Sequence, residues 1–263
     1  MIVFGAVVPH SPLLIPSIGK EHRQGLAATI TAIQEIEQAL YLAKPDTLCI
    51  IAPHGSRYPD AFSINLGSTY KGNFKTFGDF STTFEAKSDF LLIDHLQRKL
   101  REEQLPFTLT STEELDYSFG VPILTLATHL TNWKLIPVSP SMLDGKSHYE
   151  FGKQLKRVLH AESSRVAVIA SADLSHKLSA ASPGGTSTQG PLFDELIKTH
   201  VADKTADALM AFDPATIEQA SQCGYRPIMT LLGTLDEINV QGKVLSYEAP
   251  FGVGYLTARF DIL

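Results

Sequence analysis

The chain has little of what marks several large classes of protein. It contains only two cysteines, Cys49 and Cys223, among 263 residues. A disulfide framework needs a larger even set at framework spacings, so that class is excluded. Cys49 lies inside an apolar run and reads as a small core residue. The compartment expected from this cysteine usage is a reducing cytoplasm. Basic residues are also scarce, with 22 Lys and Arg against 28 Asp and Glu and a net charge of -6. No Lys/Arg-rich run offers the basic patch that non-specific nucleic-acid binding requires. No stretch reaches the roughly 18 apolar residues of a membrane span. The apolar start lacks a basic leader and is broken by Pro9, His10 and Pro12, so no signal peptide is expected. Ser11, Ser171 and Ser175 lack the strand-turn-helix Gly-x-Ser-x-Gly setting of a hydrolase nucleophile. No internal repeat, low-complexity tract or linker is visible.

What is present is a set of apolar runs that stop at polar residues. Ile2 to Val8 ends at Pro9-His10, and Thr47 to Ala52 ends at Pro53-His54. Val166 to Ala170 runs into Ser171-Ala172-Asp173-Leu174-Ser175-His176, and Lys243 to Tyr247 delivers Glu248. Continuous apolar runs of this length suit parallel strands buried on both faces. Helical periodicity between the first two, with Leu26, Ile30, Ile33, Ile36 and Leu40 at spacings of three and four, predicts a strand-helix-strand unit. The hydrophobic content of 44% supports a substantial core. The expected fold class is therefore α/β: residues 1–263 form a single domain, a central mostly parallel or mixed sheet flanked by helices. Further helices are expected from Ser88-Asp89 onward, from Pro122 to Leu130, over 147–160, and in several segments between Pro191 and Ile238. Residues 107–110 and 134–139 read as strands, 72–81 as turns, and 178–190 as a flexible loop that could cover a site. The final runs, 243–247 and 254–262, are placed as paired strands.

In open α/β sheets ligands bind beyond the carboxyl ends of the strands. If the four runs share a sheet, His10, His54, His176 and Glu248 converge there. Two histidines and a carboxylate with open positions form the pattern of non-haem Fe(II) oxygenases, and the remaining histidine is free for proton transfer. Spacing alone leaves the metal open, because the same side chains bind zinc. Asp173 reads as a turn cap rather than as a group orienting His176. His22, His95, His148, His160 and His200 fall on helices and are expected at the surface, and His129 at a helix end.

At this point the residues resemble a known family. Val8-Pro9-His10-Ser11-Pro12-Leu13-Leu14, Ala52-Pro53-His54-Gly55, Ser171 to His176, and Tyr247-Glu248-Ala249-Pro250-Phe251-Gly252-Val253-Gly254-Tyr255 resemble, in this order, the class III extradiol ring-cleaving dioxygenases. They are similar to the catalytic-subunit, LigB-like branch, to which Memo-like proteins are related. The resemblance implies Fe(II), with Zn2+ as the alternative, held by His10, His54 and Glu248, and His176 as the acid–base group. It implies opening of a catechol-type ring, with a small aromatic diol and O2 as partners. It also leaves open a homo-oligomer or a small partner subunit. Leu115 to Pro122 departs from the family's pattern: Tyr117 stands where a histidine is usual, and Ser118 where glycine is. Tyr117 is then either a hydrogen-bond donor into the site or a core tyrosine with its hydroxyl satisfied. Two other readings of the same residues are a zinc hydrolase or lyase, and a Memo-like binding or regulatory protein.

Overall fold

The computed structural model describes all residues 1–263. The opening run forms β1 (Ile2–Val8), and Pro12 and Pro16 then start short helical turns that include α1 (Pro16–Gly19). A 3-10 stretch, Lys20–Leu26, leads into α2 (Ala27–Ala43), which returns the chain to β2 (Thr47–Ile51). Next come β3 (Phe62–Asn65), β4 (Thr69–Phe74), β5 (Asp79–Ser88), α3 (Phe90–Glu102) and β6 (Phe107–Thr110). They are followed by α4 (Tyr117–Leu126), β7 (Lys134–Ser139), α5 (Gly145–Leu159) and β8 (Val166–Ser171). The last third holds α6 (Gln189–Val201), α7 (Ala206–Met210), α8 (Pro214–Gln219), α9 (Tyr225–Thr234), β9 (Val240–Glu248) and β10 (Tyr255–Ile262).

All ten strands join one mixed sheet, with the order β4-β5-β7-β2-β8-β1-β10-β9 and β3 and β6 branching from β7. The centre, β7-β2-β8-β1, is parallel, so its carboxyl ends open on one side. β10 runs antiparallel to both β1 and β9. Alternate residues of the central strands feed two separate cores. Val7, Cys49, Ile51, Val168 and Ala170 pack with α3, α5, α6 and α9. Val8, Leu48, Ile50, Ala167 and Ile169 pack with α2 and α4. Burial on both faces is what made these strands read as unbroken apolar runs.

Three local readings change in the structure. Residues 72–81, expected as turns, lie mostly in the hairpin of β4 and β5. The hairpin reverses at Gly78, whose φ of +79° suits glycine, and its buried Phe74 and Phe84 fit a half-buried pleat. Residues 178–190, expected to be a free loop, are tied back: Leu178 bridges Thr186, Gly184 N–H donates to the His176 carbonyl, and Ser182 Oγ donates to the Gly252 carbonyl. The third concerns α4, which begins at Tyr117 and carries Pro122 inside it rather than in its first turn. Asp116 makes this start, its carboxylate accepting from Ser118 N–H. A proline there removes the bond that would reach the Ser118 carbonyl. That carbonyl instead accepts from Ser171 Oγ at 2.6 Å, a side chain at the end of β8.

Candidate metal centre

β1, β8 and β2 are consecutive, parallel strands and deliver His10, the 171–176 segment and His54 to the same end of the sheet. The tightest cluster of metal-ligating atoms is His10, His54 and Cys223, all within 4.8 Å of one another. His10 is buried, 1% exposed, whereas His54 lies at the surface and Cys223 is half-buried. His10 Nε2 and Cys223 Sγ are 3.4 Å apart. Two ligands of one tetrahedral ion with bonds of about 2.0–2.3 Å stand roughly 3.6 Å apart, so this pair already has ligand spacing.

The orientation of His10 follows from hydrogen bonding. Ser171 Oγ spends its proton on the Ser118 carbonyl, so it accepts from His10 Nδ1 at 3.0 Å. Nδ1 therefore carries the hydrogen, and Nε2 presents its lone pair to Cys223 and His54. Pro122 is the origin of this chain of bonds, since it frees the carbonyl that holds Ser171. Asp173 fixes the backbone of the same residue, its Oδ1 accepting from His10 N–H at 2.9 Å. It is thus not the turn cap expected from sequence; it ties the exit of β8 to the exit of β1.

Burial governs the charges. Desolvation pushes the His10 imidazole down to about 3, against a smaller opposite pull from Asp116. Desolvation likewise raises Asp173 and Cys223. The Asp173 carboxyl lies 3.7 Å from His10 Nε2, yet burial disfavours the charged form of both, so the contact is not an ion pair. A cation among these groups would reverse that balance, since a metal deprotonates a coordinating thiol and stabilises a nearby carboxylate. A neutral imidazole with a free lone pair, a second imidazole and a thiol fit a borderline-soft ion such as zinc, copper or iron.

The remaining predicted residues divide. Tyr117 is in the site: its ring stacks on His54 at 5.3 Å and meets His10 edge-on at 5.8 Å, with Phe77 behind it at 5.0 Å. Burial and the nearby Asp173 raise its hydroxyl well above the usual tyrosine range, so it stays a donor. His176 is half-buried and close enough for its charge to act on both His10 and Asp173. Its backbone N–H is held by the Ala220 carbonyl.

Glu248 does not join the cluster. Its strand reaches the right end of the sheet, but β10 lies between β9 and β1. Its carboxylate accepts from Thr29 N–H at 2.7 Å, in the first turn of α2, a helix with no side-chain cap of its own. The third ligand-type side chain beside His10 and His54 is Cys223. It arrives from the turn before α9, where Gly224 lets the backbone approach closely: a Cβ there would meet the Asp173 carbonyl at 2.8 Å. Counting cysteines for disulfides missed it, and the available signal was Cys223 just ahead of a helix start. His148 also differs from expectation, being fully buried against Phe62 rather than at the surface.

Comparison with known proteins adds to this geometry. The family described as the catalytic LigB subunit of aromatic ring-opening dioxygenase matches residues 5–258. Protein CA_C1420 of Clostridium acetobutylicum is 26% identical over 97% of this chain, which spans only 56% of that longer protein. A MEMO1 family protein of Methanosarcina acetivorans is 25% identical, covering 90% of this chain and 74% of that one. An uncharacterized Escherichia coli K12 protein, JW3007, superposes with a TM-score of 0.69 over 98% of this chain and 99% of its own, at 15% identity, and so shares the fold. No helix is long and apolar enough to cross a membrane.

Proposed function

Because the chain belongs to the family of the catalytic LigB subunit of aromatic ring-opening dioxygenases, we propose that it is a metal-dependent oxidoreductase. Its ligands in this reading are His10, His54 and Cys223, its metal Fe(II), and its substrates a small catechol-type diol and O2. The observation that carries the reading is the convergence of the three ligand atoms, with His10 Nε2 aimed inward. An iron held by these residues would supply the redox chemistry toward O2. The chain's own residues do the rest. Ser171 and Asp173 hold His10 rigid, so little ordering is needed when the metal binds. Tyr117 shields one face of His54 and keeps a hydroxyl proton available for a substrate oxygen. His176 takes a proton from the diol and returns one later, a role suited to an imidazole at neutral pH.

Cys223 also favours a second reading, in which the chain binds its metal as a Memo-like protein without opening a ring. A thiolate is softer than a carboxylate and selects zinc or copper as readily as iron. The two readings separate in one experiment. Protein purified anaerobically is assayed for metal, reconstituted with Fe(II), and screened with catechols for O2 uptake and ring-opened product. Turnover that His176→Ala lowers by roughly 10²–10⁴-fold with metal retained supports ring opening. Full metal binding with no turnover on any catechol supports the Memo-like reading.

A further inference from the structure

A cavity of about 590 Å³ lies away from the metal centre, between α2, the carboxyl half of α4, the turns after β1 and β5. None of His10, His54, Tyr117 or Cys223 lines it. Leu124, which does, stands seven residues beyond Tyr117 on α4, about 10 Å along the helix at 1.5 Å per residue. The volume falls in the range of roughly 300–1,000 Å³ found for small-molecule sites.

The wall is apolar where the helices face each other, with Leu14, Ile30, Ile33 and Leu124. Elsewhere it is polar, with Gln34, Thr82, Thr125 and Thr128, and it holds one unpaired cation. Arg23, on the 3-10 stretch before α2, lines the cavity and makes no hydrogen bond or ion pair with the protein. Its Nε is sealed from water without a partner, while the outer guanidinium nitrogens are reached by solvent. Buried polar groups in native proteins are nearly always satisfied, so an orphan Nε in a cavity wall asks for a reason. Glu37 shares the wall, but its carboxylate is engaged by His129 Nδ1 at 2.7 Å rather than by Arg23.

We propose that this cavity is a second ligand site, taking a small carboxylate with an apolar body. The guanidinium fork matches a carboxylate in two parallel hydrogen bonds, and the aliphatic wall takes the hydrocarbon. One carboxylate suits the site better than a dianion such as phosphate, because the Glu37 charge is nearby and only one free cation faces the cavity. The proposal is independent of the chemistry at the metal centre.

Calorimetric titration of the whole chain with 3-phenylpropionate tests it, with 3-phenylpropionamide as the uncharged control. The acid is expected to bind saturably at one site, and the amide about 10-fold more weakly or worse, as loss of a charge-assisted bond implies. Arg23→Gln should weaken the acid by a similar factor, and His54→Ala should leave its affinity unchanged. Absence of saturable binding at millimolar acid, or equal affinity of acid and amide in the unmodified chain, overturns the proposal. So does binding that survives Arg23→Gln but is lost in His54→Ala, which would put the acid at the metal centre.

Discussion

Two corners of this molecule carry the same sequence signal and are built differently. Pro9-His10 and Pro53-His54 each follow a central strand, and both histidines reach the same cluster. At the first corner His10 is buried, and its backbone N–H and ring Nδ1 are held by Asp173 and Ser171. At the second, His54 is exposed, and no protein hydrogen bond fixes its ring; a stacked Tyr117 does so instead. Gly55 sets that corner close to Ser139, where a Cβ would lie 2.2 Å from its hydroxyl. The lesson is a division of labour within one site. His10 is preorganised as part of the core, whereas His54 stands on the solvent side, positioned by stacking on Tyr117.

The comparison predicts unequal consequences for similar substitutions. His10→Ala and His54→Ala should each weaken metal binding by more than about 100-fold, beyond the 10–100-fold typical of losing a group that only supports a ligand. Their effects on the fold should diverge. His10→Ala strands the buried partners of its ring and should cost about 2–3 kcal/mol in denaturant unfolding of the apo protein. His54→Ala should stay within about 0.5 kcal/mol, as exposed substitutions do. Equal losses of stability would break the comparison. Cys223→Ala should match the histidines in metal loss; retained occupancy by metal analysis would remove it from the centre.

Ser171→Ala tests whether His10 is preorganised by its neighbour. Metal affinity should fall by roughly 10–100-fold, since the ring loses the group that sets its tautomer. A competition assay with a chelator reads this directly, and no change would mean that packing alone orients His10.

His148 sharpens the contrast, as a buried histidine with no ligand role. Burial lowers its folded-state value to about 4, so the folded protein keeps it neutral where the unfolded chain protonates it. Below an unfolded value of about 6.5 the unfolded state binds more protons, and stability falls as pH drops toward 4, by about 1.4 kcal/mol per unit from this group. Unfolding of His148→Met compared with the unmodified chain across that window should show a smaller fall. Parallel pH profiles would contradict this.

The smallest effect is expected at Glu248. Glu248→Gln should leave metal occupancy intact and lower stability by about 1 kcal/mol or less, through a weaker partner for the first turn of α2. Metal loss in this variant, with Cys223→Ala retaining it, would restore Glu248 as a ligand.

Much of this was legible before any coordinates. The apolar runs, their proline stops and the periodicity of α2, α3, α5 and α9 are local signals, and the elements lie close to where these signals put them. The hairpin of β4 and β5 was not, because its glycines and polar residues imitate turns until Phe74 and Phe84 are seen buried. The run of α4 through Pro122 was not, because the carbonyl freed by the proline is satisfied by Ser171, far along the chain. His148 was misplaced because a lone histidine on an amphipathic helix shows no sign of which face it occupies.

The sequence by itself determined the central strands, their burial on both faces, and the arrival of two histidines at strand ends, because hydrophobic run length and proline act over a few residues. Only the tertiary structure decided which third side chain stands beside the two histidines. Which side chain completes a cluster depends on strand order and on the direction in which each side chain leaves its backbone. The insertion of β10 between β9 and β1 turns Glu248 toward α2, and the close approach of Gly224 to the end of β8 brings Cys223 in beside His10.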